Sequence, residues 1–334
     1  KLAHLGLSQI PARSTISDGN KHRSSEVFGD IYKALHKNFA PLFSDSQLSG
    51  EIFNKLTLVD STTISLFKEI LKAAGRTPAS GKRKGGIKVH MSLDTGTGLP
   101  KVICFTSGAS SDTPHIKKAG LGPGDLAVFD MGYNDYGQFM KWGQMGVNFV
   151  TRQKDGSLYT VLQDFPLSDF CDECIASDQL IEVRDPQSGE TFRLRRIVRK
   201  ADADSIELVF WTNIFTLNPD KIAQIYKKRW GIELLFKSLK QNFPLRSFLG
   251  DNRNAIEIQI WCSLIMHLLY KVVLHQAKAK WAFSNFCDLM RQHLFTYIDL
   301  PAFIMSPERS LRKRARSREP ARGKKAQTGQ GTLF

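Results

Sequence analysis

Between residues 56 and 152 the apolar positions of this chain fall into short, strand-length runs, at 56–59, 87–93, 99–106, 126–129 and 147–152. The second and third runs flank Asp94-Thr-Gly-Thr-Gly98, a hairpin turn, so three antiparallel strands open the series. A short polar helix over 113–119 and an amphipathic helix over 136–145 then alternate with the last two strands. Three strands followed by alternating helix and strand predict an α/β fold, a mixed sheet flanked by helices. From 155 to 212 the pattern changes to alternating β-branched runs at 158–162, 180–184, 191–198 and 205–211, separated by turn signals such as Asp185-Pro-Gln-Ser-Gly189, which reads as a β-rich insertion. Helical periodicity then takes over, with one helix over 225–242 and an apolar helix over 256–274. Upstream of the strands, 25–38 also reads as a helix.

The helix over 225–242 carries one carboxylate, Glu233, among Tyr226, Arg229, Lys237 and Lys240. At 3.6 residues per turn these four side chains fall within roughly 40° of Glu233 around the axis, so one face is an acid ringed by cations. Such a face is either a solvated stripe of ion pairs or a surface that meets a metal ion and phosphates together. Two aspartates favour the second reading. Asp60 follows the apolar run 56–59 and Asp130 follows 126–129, so each stands at a predicted strand end. Three carboxylates brought together can hold a pair of hard divalent ions for phosphoryl transfer.

Tyr226, Arg229, Glu233 and Lys240 have the spacing Y-x2-R-x3-E-x6-K, and Asp130-Met-Gly-Tyr133 fits D-x-G-Y. Both resemble signatures of the IS-four family of bacterial insertion-sequence transposases, with Asp60-Ser61-Thr62 resembling the family's first motif. The likeness extends from about residue 56 to about residue 271. It implies an RNase H-like catalytic core in which Asp60, Asp130 and Glu233 hold two Mg2+ ions, with Mn2+ able to substitute. The implied activity is metal-dependent cleavage and strand transfer of double-stranded transposon ends. Arg229, Lys237, Lys240 and Tyr226 are then DNA contacts, and Arg152, Arg193, Arg195, Arg196 and Arg199 of the insertion are candidate phosphate contacts. In the resembling family the cut passes through a hairpin with a flipped base stacked on an aromatic ring, for which Trp211 and Trp230 are candidates. Family members usually place an end-recognition domain before the core, and residues 1–54 are its candidate here, short or truncated. The expected DNA complex is a homodimer. The competing readings are an RNase H-like nuclease or resolvase acting on another substrate, and an inactive basic DNA-binding derivative.

Charge agrees with a nucleic-acid partner: the chain has 47 Lys and Arg against 32 Asp and Glu, a net charge of +15. Residues 306–334 hold nine basic and two acidic side chains, a basic tail with the composition of disorder, and the remainder requires a basic surface on the body as well. The domain boundaries implied are 1–54, 55–154, 155–212, 213–305 and the tail from 306. Lys82, Lys84 and Lys88 in GKRKGGIKVH, beside Gly81, Gly85 and Gly86, suggest a phosphate-binding loop; without a Walker pattern it is no nucleotide cradle, and His90 is not assigned to catalysis. Cys171 and Cys174 have ligand-like spacing but lack a second Cys or His pair, and five cysteines, an odd count, fit a reducing cytoplasm. The apolar stretch over 256–274 is interrupted by Glu257, Gln259, His267 and Lys271, so it reads as a buried helix, and the expected location is the bacterial cytoplasm, at the nucleoid, with no membrane partner.

Overall fold

The computed structural model describes residues 9, 11–43, 56–65, 86–167, 174–200, 207–245, 247–250, 252–278, 280–293 and 300–306. Lys82, Lys84, Cys171 and the basic tail beyond residue 306 lie outside the described residues.

The described strands are β1 (Leu56–Ser65), β2 (Gly86–Asp94), β3 (Leu99–Ser107), β4 (Leu126–Phe129), β5 (Asn148–Arg152), β6 (Thr160–Asp164), β7 (Ile175–Arg184), β8 (Thr191–Arg199) and β9 (Leu208–Thr212). They form one nine-stranded sheet in the order β3-β2-β1-β4-β5-β9-β8-β7-β6. The helices are α1 (Arg13–His22), α2 (Ser25–Phe39), α3 (Tyr136–Met145), α4 (Pro219–Lys227), α5 (Trp230–Asn242), α6 (Arg253–Ala277), α7 (Phe283–His293) and α8 (Leu300–Met305).

The first five strands build the core. β1, β2 and β3 pair antiparallel, and β4 and β5 then add in parallel to β1. The β2–β3 turn closes through Gly98, whose backbone N–H reaches the Asp94 carbonyl at 2.8 Å with φ at 62°, a conformation that favours glycine. This succession of three antiparallel strands and two parallel ones, with helical crossovers, is the RNase H-like arrangement.

Side chains alternate across β1, which gives the sheet two different faces. Val59 joins a core with Phe129, Tyr133, Phe139, Trp142, Phe149 and Trp211, in which Phe139 and Phe149 stack at 4.4 Å. α3 is fixed over this face by Asp135, whose carboxylate caps Gln138 N–H at 2.9 Å, and by Gly146, which ends the helix at φ 70°. Leu58 lies on the other face, where Gly231 of α5 approaches so closely that a Cβ there would stand 3.3 Å from a Leu58 methyl. Ile64, Val89 and Met91 meet Phe236, Leu239 and Leu264 on that side.

Chain clustering separates residues 11–269 from a second compact unit that begins at Tyr270. In the first, α2 docks through Tyr32, whose hydroxyl donates to the Pro100 carbonyl at 2.8 Å and whose ring lies 5.7 Å from that of Trp261. The more apolar window of α6 would reach across a bilayer by length and composition, yet 56% of it is buried within the protein. In the second unit, the Tyr270 ring meets Phe286 edge-on at 5.6 Å, and the Trp281 indole donates to the Ile304 carbonyl at 3.1 Å.

One expectation changes. The single helix over 225–242 is instead α4 and α5, parted at Lys228 and Arg229, where the backbone bonds shorten to i→i−3: Lys228 to Ile225, Arg229 to Tyr226 and Gly231 to Lys228. Tyr226 therefore belongs to α4 and Glu233 to α5. The β-rich insertion continues the core sheet: β9 pairs antiparallel with β5, and β8, β7 and β6 follow. A buried ion pair pins it. The Arg195 guanidinium forks onto Asp178 and also donates to the carbonyls of Ile214 and Leu217, in the segment leading to α4.

Truncating one partner of that pair strands a buried charge, so Asp178→Ala should lower stability by about 3 kcal/mol in urea unfolding. The double change Asp178→Leu with Arg195→Leu should recover most of that loss.

Candidate active site

The register of β1 with β4 ends at Val59 opposite Phe129, so Asp60 and Asp130 occupy the next position on two adjacent strands. Beyond this level β4 stops and turns into a 3-10 helix over Met131–Tyr133, whereas β1 continues against β2 to Ser65. Asp130 thus stands at a strand end as expected. Asp60 lies inside a longer strand, at the point where its parallel partner leaves it.

Alternation along β1 puts Asp60 on the Leu58 face, the side covered by α5. Glu233 sits in the first turn of α5, an end that favours negative charge. Arg229 stands between the acids: one guanidinium nitrogen is 3.0 Å from Asp60 Oδ2 and the other 2.6 Å from Glu233 Oε1. Asp60 Oδ1 also accepts the Ser61 backbone N–H at 2.7 Å.

One guanidinium does not neutralise this site. Burial pushes the Asp60 carboxyl up to about 6, the Ser61 N–H and Arg229 pull it down, and the charges of Asp130 and Glu233 raise it further. Burial works against the Arg229 charge too, but Tyr226, Asp60 and Glu233 outweigh it and hold its pKa above the usual value. Tyr226 itself is buried, packed at 5.1 Å from the Phe210 ring with the Arg229 guanidinium 5.7 Å over its own ring, and its hydroxyl is pushed up to about 12, chiefly by burial.

The remaining sequence candidates divide by exposure. Lys237 is exposed, Lys240 is half-buried with its pKa lowered by desolvation, and Arg152 is half-buried near Tyr226. Trp230 is 64% exposed, whereas Trp211 is fully buried in the aromatic core and cannot stack on a flipped base. Lys88 is likewise no phosphate contact: it is buried, and its ammonium donates to Asp112 Oδ1 at 3.0 Å and the Ser110 carbonyl at 2.9 Å. Arg195 is spent on Asp178, and Arg196 lies over the Tyr159 ring with bonds to Gln153 and Gln179. Arg193 is exposed.

Sequence reasoning passed over the polar groups beside the acids. Asp112, Ser61, His90, Tyr133 and His115 cluster against β1 and β2. Burial, then the neighbouring His115, push His90 down to about 4, so it is a neutral ring bridging Tyr133 and Thr106. The Asp-Ser-Thr and Asp-x-Gly-Tyr motifs contained Ser61 and Tyr133; Asp112, in a loop, carried no signal.

Asp60 has a folded pKa above its unfolded value of 3.8, so its favourable contribution is complete below about pH 4 and is lost as pH rises through 6. In chelator-treated protein, Asp60→Asn should therefore gain on the order of 2 kcal/mol relative to the parent at pH 8 and little at pH 4, read from urea midpoints.

Residues 52–269 match the family described as transposase DDE domain. The chain is 29% identical over 301 residues to a putative transposase, y4zB, of Sinorhizobium fredii, covering 89% of this chain and 81% of that one. It is 26% identical over 223 residues to a probable transposase for insertion sequence element IS5377 of Geobacillus stearothermophilus, covering 67% of this chain and 58% of the relative. Its shape is similar to piggyBac transposase in a synaptic complex with hairpin DNA, with a TM-score of 0.42, 12% identity and coverage of 80% of this chain and 55% of the other. The matched span exceeds half the chain and contains Asp60, Asp130 and Glu233: this chain belongs to the DDE-domain transposases.

Proposed function

We propose that Asp60, Asp130 and Glu233 are the catalytic carboxylates of a metal-dependent DNA transposase that cleaves and joins insertion-sequence ends. The observation that carries this reading is the shared level of Asp60 and Asp130 past the β1–β4 pairing, with Glu233 tied to Asp60 through Arg229.

The family uses divalent metal ions, and the donor set suits them: three hard carboxylate oxygens, one with its pKa raised by burial and by the other two acids. Among the described residues no three such side chains stand close enough to hold an ion, and Arg229 bridges Asp60 and Glu233. Two Mg2+ ions, or Mn2+ in their place, would supply a lowered hydroxyl pKa at the attacking oxygen and charge neutralisation at the leaving 3' oxygen. The protein's own part is to place the acids and to orient DNA. Arg229, released from Asp60 and Glu233, has a planar fork suited to a phosphate near the cut. Lys237 and Lys240, about two and three turns further along α5, extend that cationic line, and Arg152 adds charge near Tyr226. Trp230 offers an exposed ring for stacking. We further assign terminal inverted repeats and target DNA as substrates, a homodimer as the DNA-bound state, residues 1–54 as the segment for end recognition, and the bacterial cytoplasm, at the nucleoid, as the place of action.

Asp60→Ala, Asp130→Ala and Glu233→Ala should each abolish Mg2+-dependent nicking and strand transfer of end DNA by at least about 1,000-fold, while gel-shift affinity stays within threefold, since the phosphate contacts remain. Cleavage retained by one variant removes that residue from the site. Cleavage without strand transfer in the parent would favour a nuclease or resolvase, and tight binding without cleavage an inactive derivative.

For the cationic line, Lys237→Ala should make the slope of log affinity against log salt shallower by about one unit with an unchanged melting temperature. An unchanged slope would return Lys237 to the solvated surface.

A further inference from the structure

On the face of β1 opposite Asp60 lies a polar cluster that a hydrophobic core does not require. Its centre is Asp112. One carboxylate oxygen accepts from Ser61 Oγ at 2.9 Å and from Lys88 Nζ at 3.0 Å, and it lies 3.5 Å from His90 Nδ1. Ser61 is the residue after Asp60 on β1, and Lys88 and His90 belong to β2, where they pair with Thr63 and Ser61. The other oxygen faces Gly132, two residues past Asp130, where a Cβ would stand 3.6 Å from it. Thr113, next to Asp112, donates to the Gly132 carbonyl at 3.2 Å. A second strut runs parallel: His90 meets the Tyr133 hydroxyl at 3.0 Å, and Tyr133 N–H is bonded to the Asp130 carbonyl at 3.0 Å.

The first strut joins the strand of Asp60 to the turn of Asp130, and the second joins its partner strand β2 to the same turn. Lys88 is 4% exposed, and burying an ammonium is costly unless a partner is fixed beside it. An apolar pair would close the same space without that cost, so the polarity has a use other than packing.

We propose that Asp112 is a positioning residue: through Ser61 and Lys88 on one side and Gly132 on the other, its carboxylate sets the spacing of Asp60 and Asp130 and so their joint affinity for a divalent cation. This rests on the assignment of those two aspartates as metal ligands. Asp112 touches no reacting atom; it acts through the backbone on either side of the acids. Groups that orient ligands in this way change metal affinity by about 10- to 100-fold when removed.

The test uses the full chain and Mn2+ as probe, with bound metal read by the loss of the free-ion paramagnetic resonance signal, alongside melting temperature and metal-free binding of end DNA. Ser61→Ala removes one strut and leaves no buried charge, and the Ser61 backbone N–H still serves Asp60. It should fold and bind DNA as the parent does and bind Mn2+ about 10-fold more weakly. Lys88→Met combined with Asp112→Leu replaces the ion pair by apolar groups, so melting should stay near the parent value while Mn2+ affinity falls at least as far. Parent-like Mn2+ affinity in Ser61→Ala, or in a folded double variant, overturns the proposal and leaves the cluster a packing element. Asp60→Ala is the control that separates the two inferences: if it binds Mn2+ as tightly as the parent, the ligand assignment itself fails and the positioning role fails with it.

Discussion

The arrangement of the acids depends on one constraint, the parallel pairing of β1 with β4 that ends at Val59 and Phe129. Neighbouring strands lie about 4.8 Å apart, so two aspartates one step beyond the same rung are near neighbours before any side chain chooses a rotamer. The pairing is itself held by burial: Leu56, Leu58 and Val59 on one strand and every residue of β4 are removed from solvent. Electrostatics could not assemble this pair unaided, since like charges repel and neither aspartate gains from the other. Apolar packing brings them together, and the same burial, with a smaller addition from the neighbouring acids, raises the pKa of Asp60.

Arg229 offsets part of that repulsion by pairing with Asp60 and Glu233. Its place is set by the i→i−3 bonds that part α4 from α5, which bring the guanidinium over Asp60 while Glu233, one turn on, stays within reach of the same side chain. The arginine is thus attached to both acids and stands at the start of the helix that carries Glu233. On the proposed function, exchange of its carboxylate partners for a phosphate would couple the filling of the acidic site to the arrival of the nucleic-acid backbone.

Much of this was legible in the sequence because short apolar runs ending in Asp are local signals, and because the spacing of Tyr226, Arg229, Glu233 and Lys240 survives whether or not the helix is continuous. What was not legible depends on partners far away in the chain. Lys88 and Trp211 look accessible in isolation; only the Asp112 loop and the α3 aromatics show that each is buried. The break at Lys228 and Arg229 lies in residues that are good helix formers, so propensity runs straight through it. The continuity of the insertion with the main sheet follows from β5 pairing with β9 across more than fifty residues, a contact that no local pattern encodes.

That last pairing has a consequence for how such a molecule changes over time. Because β9 returns to the flank of β5 before the chain enters α4, the segment between them is a detour that starts and finishes on the same edge. Its length can grow or shrink by whole hairpins without moving the helix that bears Glu233, provided the last strand still docks. Variation in the length and sequence of β6 to β8 can therefore accumulate while the distances among the three acids stay fixed.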